Sequence, residues 1–145
     1  MKTLKESILN RSNHTGEGFK AQRREMIESW LNKYDIRNYT INDDFTVDVS
    51  EDLYLELKDL TEFPEYIQFG IVKGYFDCEF NRLISLKGTP KRVDGNFYCS
   101  HNKLTTLKGA PETVGGSFYC SNNRVQFTEE DVRKVCKVEG RISVK

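Results

Sequence analysis

Phe76, Phe97 and Phe118 stand 21 residues apart, and a whole set of residues travels with them. Cys78, Cys99 and Cys120 keep the step, as do Asn81, Asn102 and Asn123, and Val72, Val93 and Val114. Leu83, Leu104 and Val125 follow it, and so do Gly74, Gly95 and Gly116. A fixed period of this length is the mark of stacked coils in which each unit buries its apolar face only against its neighbours. The periodic residues then hold the stack together, and function belongs where side chains point outward or the period breaks.

Within a unit, Val93, Gly95, Phe97 and Cys99 share one strand parity and are expected to face the core, whereas Tyr98 and Ser100 face out. Leu104 and Leu107 turn inward again beyond the strand. The asparagine at each rung carries both a carbonyl and an NH2 group, so it can serve its own turn and a neighbouring coil together. The repeat begins early, because Val49, Leu53, Leu55, Leu60 and Phe63 reproduce the spacing of Val72, Phe76, Cys78, Leu83 and Leu86. At the far end, Thr128 followed by Glu129, Glu130 and Asp131 reads as a helix start. Val132, Val135 and Cys136 are its expected packed side. Val138 to Val144 then echoes Val93 to Cys99 as a last strand displaced by this insertion.

The stretch before residue 39 has a different grammar. Leu4, Ile8 and Leu9 suggest a short helix, residues 12–18 a polar loop containing His14, and Phe19 to Tyr34 an amphipathic helix. An open solenoid end exposes apolar core, so capping is the expected task of this arm. Tyr39-Thr40-Ile41 and Phe45 to Val49 alternate at period two around Asn42-Asp43-Asp44, the pattern of a hairpin. The expected organisation is a helical arm over residues 1–38 and a solenoid over 39–145. The fold class is α+β, with a parallel sheet of about five short strands, an N-terminal helical cap and a short helix plus strand at the C-terminal end.

The chain of 145 residues has no net formal charge, which gives no global reason to expect nucleic acid or membrane as a partner. The charge is uneven, however. Residues 39–67 carry nine acids against Lys58 alone, and both flanks are mildly basic. No apolar run approaches the roughly 18 residues needed to cross a bilayer. The charged start lacks a signal-peptide stretch, so a cytoplasmic location with reduced thiols is expected. The cysteines at the repeat step form a row about 4.8 Å apart in neighbouring strands, which does not surround a metal ion tetrahedrally. No metal and no cofactor is expected. Cys99 and His101 should point to opposite faces, and Gly16-Glu17-Gly18 lacks the lysine and spacing of a phosphate loop. An enzyme is therefore not expected.

Phe97-Tyr98-Cys99-Ser100-His101-Asn102-Lys103-Leu104-Thr105-Thr106-Leu107 resembles the leucine-rich repeat pattern L-x-L-x-x-N-x-L-x-x-L, with Phe and Cys in leucine positions. The segment Lys108 to Val114 is similar to the short connection of bacterial leucine-rich repeats. The resemblance covers about residues 49–145. It implies a right-handed coil with the parallel sheet on a concave side, acting as a protein-binding scaffold. The Lys-Glu-Ser-Ile start with the Asn-centred repeat also resembles small accessory proteins encoded by bacteriophages, which implies a host protein as target.

Three outward columns follow from the period. One is Tyr54, Asp77, Tyr98, Tyr119 and Arg141, the next Glu56, Glu79, Ser100, Ser121 and Ser143, and the third Leu57, Phe80, His101, Asn122 and Lys145. Tyrosine offers large area and a polar tip at low entropic cost, which suits a binding surface. Tyr98, Tyr119, Phe80, Asp77, Glu79, His101, Tyr54 and Ser100 are the expected contact residues, although stacked tyrosines also stabilise a sheet as cross-strand pairs. Two other routes to partners exist: a virion or assembly role through the N-terminal helices, and nucleic-acid binding through the basic column Arg82, Lys103 and Arg124.

Overall fold

The computed structural model describes residues 16–145. They form two compact units that part between Arg37 and Asn38. The short helix expected around Leu4, Ile8 and Leu9, and His14 with the start of its loop, lie outside the described residues.

In the first unit a helix, α1, runs from Gly16 to Lys33. Gly16, Glu17 and Gly18, expected in the loop, form its first turn instead, where Glu17 complements the positive end of the helix dipole. Ile27, Trp30 and Leu31 are buried at the i, i+3, i+4 spacing of one face. The helix stops where Asp35 adopts the left-handed conformation at φ 55°. The Ile36 N–H donates to the Leu31 carbonyl at 2.9 Å and the Asp35 N–H to that of Asn32 at 3.0 Å, a Schellman end.

The second unit is a β-solenoid of about five turns. It opens with the expected hairpin, β1 (Tyr39–Ile41) antiparallel to β2 (Val47–Val49). Each turn then contributes two short strands. One set, β2, β4 (Phe69–Val72), β6 (Arg92–Val93), β8 (Thr113–Val114) and β10 (Lys137–Val138), forms a parallel sheet with β1 at its edge. The other set, β3 (Leu53–Tyr54), β5 (Phe76–Asp77), β7 (Phe97–Tyr98), β9 (Phe118–Tyr119) and β11 (Ile142–Ser143), is the expected five-stranded parallel sheet.

The single strand expected across Val93 to Cys99 is thus two strands of two sheets, and Val138 to Val144 divides in the same way. The corner between them is built on glycine. The Gly95 N–H donates to the Gly74 carbonyl at 2.9 Å, Gly116 to Gly95 at 3.0 Å and Gly140 to Gly116 at 2.8 Å. A Cβ on Gly95 would lie 2.9 Å from the Gly74 and Tyr75 backbone, so this column tolerates no side chain.

The core lies between the two sheets. Phe76, Phe97 and Phe118 are fully buried and stacked in file, with centroids 5.6 and 5.0 Å apart. Cys78, Cys99 and Cys120 form a second buried file without disulfides, and burial pushes the Cys78 and Cys99 thiols well above the ordinary range. Leu83, Leu86 and Leu104 complete the interior at zero exposure.

The short helix α2 (Glu129–Val135) carries a full capping box: Thr128 Oγ1 accepts from the Asp131 N–H at 3.1 Å, and Asp131 Oδ2 accepts from the Thr128 N–H at 2.9 Å. Val132 and Cys136 are buried, as their spacing implies. Val135, expected on the same face, is instead 43% exposed.

The asparagines join rung to rung. Asn102 Oδ1 accepts from the Leu83 N–H at 3.0 Å, while its Nδ2 donates to the carbonyls of Cys78, Cys99 and Ser100 at 3.0 to 3.3 Å. Asn81 reaches back in the same way to Lys58, Leu60 and Leu55, and Asn123 to Leu104 and Cys99. Replacing Asn102 by Ala strands these groups inside the coil. It should lower the unfolding free energy by about 1–3 kcal/mol, whereas Lys103→Ala next to it stays within about 0.5 kcal/mol. Urea titration of the two variants checks this, and equal midpoints would remove the ladder from the account.

Candidate functional site

The register of the five-stranded sheet fixes what its outward face presents. Tyr54 lies beside Asp77, Asp77 beside Tyr98, Tyr98 beside Tyr119 and Tyr119 beside Ser143. Ser143, not Arg141, therefore completes the tyrosine column. Arg141 falls two residues short and follows Ser117, whose Oγ accepts from its N–H at 2.9 Å. The same shift puts Lys145 in line with Ser121 rather than with Asn122. The length of the α2 insertion hides this offset from a simple count.

The aromatic side chains make two stacks. Tyr98 and Tyr119 lie face to face, centroids 4.8 Å apart and planes 7° from parallel. Tyr75, from the corner before β5, meets Tyr98 edge-on at 5.8 Å and Tyr54 at 5.1 Å, with its hydroxyl donating to that of Tyr54. Phe80 and His101 form the second stack, centroids 4.3 Å apart and planes 7° from parallel. Tyr54 and Phe80 are half exposed, at 50% and 49%, and Tyr98 and Tyr119 are half-buried. Tyr75 was not among the expected contact residues, because its neighbours in the period are Asp52, Asn96 and Ser117 and no column marks it.

Phe80 and His101 project outward for a backbone reason. Leu57, Phe80, His101 and Asn122 all adopt the left-handed region, at φ 58°, 56°, 57° and 54°. Such a conformation costs a bulky residue on the order of 1–3 kcal/mol and persists only where the surroundings dictate it. Here the asparagine that follows Phe80, His101 and Asn122 dictates it, and at Leu57, which Lys58 follows, Asn81 of the next rung does so by accepting from the Lys58 and Leu60 N–H groups. No propensity of Leu or Phe signals the turn; among the four, Asn122 and His101 are the residue types that visit this region more readily.

Ser100 plays a different part from the one expected. It is buried, and its Oγ accepts from the Ser121 N–H at 2.9 Å, which commits it to the stack rather than to a contact surface. His101 is exposed, with Nε2 3.4 Å from Asn122 Nδ2, while Cys99 lies in the core. Just beyond the rung asparagines, Arg82, Lys103 and Arg124 line an open groove with Ile84, and Arg82 is ion-paired with Asp59 at 2.9 Å. Among the described residues no group of three or more His, Cys, Asp or Glu is placed to hold a metal ion, and no helix is long and apolar enough to cross a membrane.

Three carboxylates sit among the rings. Glu56 and Glu79 occupy equivalent positions on neighbouring rungs, where the Leu57 N–H donates to the Glu79 carbonyl. Asp77 is two residues before Glu79 and accepts from its N–H at 2.9 Å. Burial, then the charge of Glu56, pushes the Asp77 carboxyl above its ordinary range, although the Glu79 N–H opposes this. Burial and the charge of Asp77 raise Glu79, against hydrogen bonds from Ser100 and the charge of His101.

These shifts have a consequence for stability. The folded chain holds protons on Asp77 and Glu79 more tightly than the unfolded chain does, so stability falls as pH rises from the ordinary values of 3.8 and 4.5 through the raised ones. Asp77→Asn combined with Glu79→Gln should flatten that fall and should gain on the parent as pH is brought from below about 4 to neutrality. Urea midpoints across this range measure it, and parallel pH profiles would mean that neither carboxyl is held out of water. No family model, no curated protein and no solved structure matches the chain, so function rests on the face itself.

Proposed function

We propose that this chain is a non-catalytic protein-binding module that captures its partner on the outward face of the five-stranded sheet. The observation that carries the reading is the pair of preformed aromatic stacks, Tyr98 on Tyr119 and Phe80 on His101, held on a backbone whose every rung is tied to the next. Rings that are ordered before binding give up little side-chain freedom on contact, so more of their contact energy appears as affinity. Tyrosines in this setting are typical centres of binding energy. Asp77, Glu79, Tyr54 and His101 frame them, and Ser100 supports them from beneath.

The likeness of the repeat to leucine-rich repeats supports the same use, since such coils serve as scaffolds for protein contact. The likeness to phage-encoded accessory proteins makes a host protein the natural target, met inside the host cytoplasm. The basic groove is the weaker surface for a partner, because Asp59 already neutralises Arg82.

Tyr98→Ala with Tyr119→Ala removes the central stack without touching the core file. Each lost ring should cost about 2 kcal/mol of binding, or more than tenfold in affinity. Affinity capture from an extract of the natural host, quantified for parent and double variant at matched folding, tests this. Undiminished capture by the variant would rule out this face.

A further inference from the structure

Glu56, Asp77 and Glu79 come from two neighbouring rungs at the early end of the face, and the rings of Tyr54, Tyr98 and Phe80 stand around them. Three features of this corner ask for a positive charge. The carboxylates are close enough to repel one another and are partly withdrawn from water, which costs stability unless an opposite charge arrives. Glu56 Oε2 is buried and has no hydrogen-bond partner among the described residues, so one strong acceptor is unused. The outward rows of the first three rungs supply no lysine or arginine beside them: they read Tyr54, Asp77, Tyr98, then Glu56, Glu79, Ser100, then Leu57, Phe80, His101.

Resting on the protein-binding reading above, we propose that this corner receives an arginine side chain from an extended segment of the partner. A guanidinium suits it better than an ammonium. It is planar, so it can lie against the exposed Tyr54 or Phe80 ring while its edge donates to two carboxylates at once. Its weaker hydration also makes approach to partly buried carboxylates less costly. Both the aromatic walls and the acids contribute, so a lysine-bearing segment binds less well and a neutral one hardly at all. Of the other acids of residues 39–67, Asp43, Asp44 and Asp59 are exposed, and Asp59 already pairs with Arg82.

The test uses the full chain, labelled with nitrogen-15, and three short peptides of the form acetyl-Ser-X-Gly-X-Ser-amide in which X is arginine, lysine or citrulline. Titrations are run at about 0.15 M salt, where diffuse surface attraction is screened. The arginine peptide should shift amide resonances of residues 54–57, 77–80 and 98–101. Lysine should bind several-fold more weakly, and citrulline, which keeps the shape and loses the charge, about tenfold or more weakly. A chain carrying Glu56→Gln, Asp77→Asn and Glu79→Gln should give no localised shifts, and its unchanged spectrum elsewhere reports that it is folded. Shifts spread over Asp43, Asp44 and Asp59, equal response to arginine and citrulline, or no response would each overturn the proposal. Were that to happen while Tyr98→Ala with Tyr119→Ala still abolished partner capture, the binding face would stand and only its arginine pocket would fall. Failure of both would remove the face as well.

Discussion

The asparagine amide at the end of each rung is the interaction on which the rest of the structure depends. Just before Asn81, Asn102 and Asn123 the chain must leave the five-stranded sheet, and it does so through a left-handed residue, Phe80, His101 or Asn122; Leu57 makes the same turn in the first rung, beneath Asn81 of the next. That conformation costs on the order of 1–3 kcal/mol per rung. It also detaches backbone groups from the sheet ladder, and each would cost a further 1–3 kcal/mol or so if buried without a partner. The Asn81 and Asn102 side chains meet several of those groups at once, from their own coil and from the one before. The hydrogen bonds outweigh the strain, and the turn is imposed whatever residue precedes the amide.

This is how a structural constraint shapes the outward face. A left-handed residue cannot tuck its side chain into the coil, so Leu57, Phe80 and His101 emerge on the outward face regardless of their polarity. Phe80 would otherwise belong inside. Stacked on His101, it instead forms a fixed apolar platform beside the tyrosines. The carboxylates show the same tension from the electrostatic side. Asp77 and Glu79 are held partly out of water next to Glu56, an arrangement that lowers stability at neutral pH.

Much of the fold was legible in the sequence because stacking makes each position meet its own kind. Phe76, Phe97 and Phe118, the cysteine file and the asparagines could be placed from their step alone, as could the hairpin and the Thr128 cap. What was not legible has physical causes. Nothing in Phe80 announces positive φ, since the cause lies in the following residue and the adjacent coil. Gly74, Gly95 and Gly116 did signal the corner between two sheets, but a glycine column reads equally well as the interior of one strand. The echo of Val93 to Cys99 in Val138 to Val144 carries the observed register, in which Ile142 meets Phe118. Counting outward columns across the α2 insertion loses it by two, which is why Arg141 was misplaced beside Tyr119.

The corrected register also gives the face a direction. The repeat keeps the backbone the same from rung to rung, so differences along the outward rows come from side chains alone. The row Glu56, Glu79, Ser100, Ser121 loses its acids after two rungs and then meets Lys145, while the row beside it passes from Tyr54 and Asp77 to Tyr98, Tyr119 and Ser143. In a chain with no net charge, this places negative charge at one end of an aromatic strip and none at the middle. A featureless stack would accept an extended segment in either orientation and at any register, since every rung offers the same backbone. In the proposed binding mode, confining the charge to the first rungs removes that degeneracy, because a cationic residue on the segment would be satisfied at one end only. The fold supplies repetition, and on this proposal the departures from repetition supply the address.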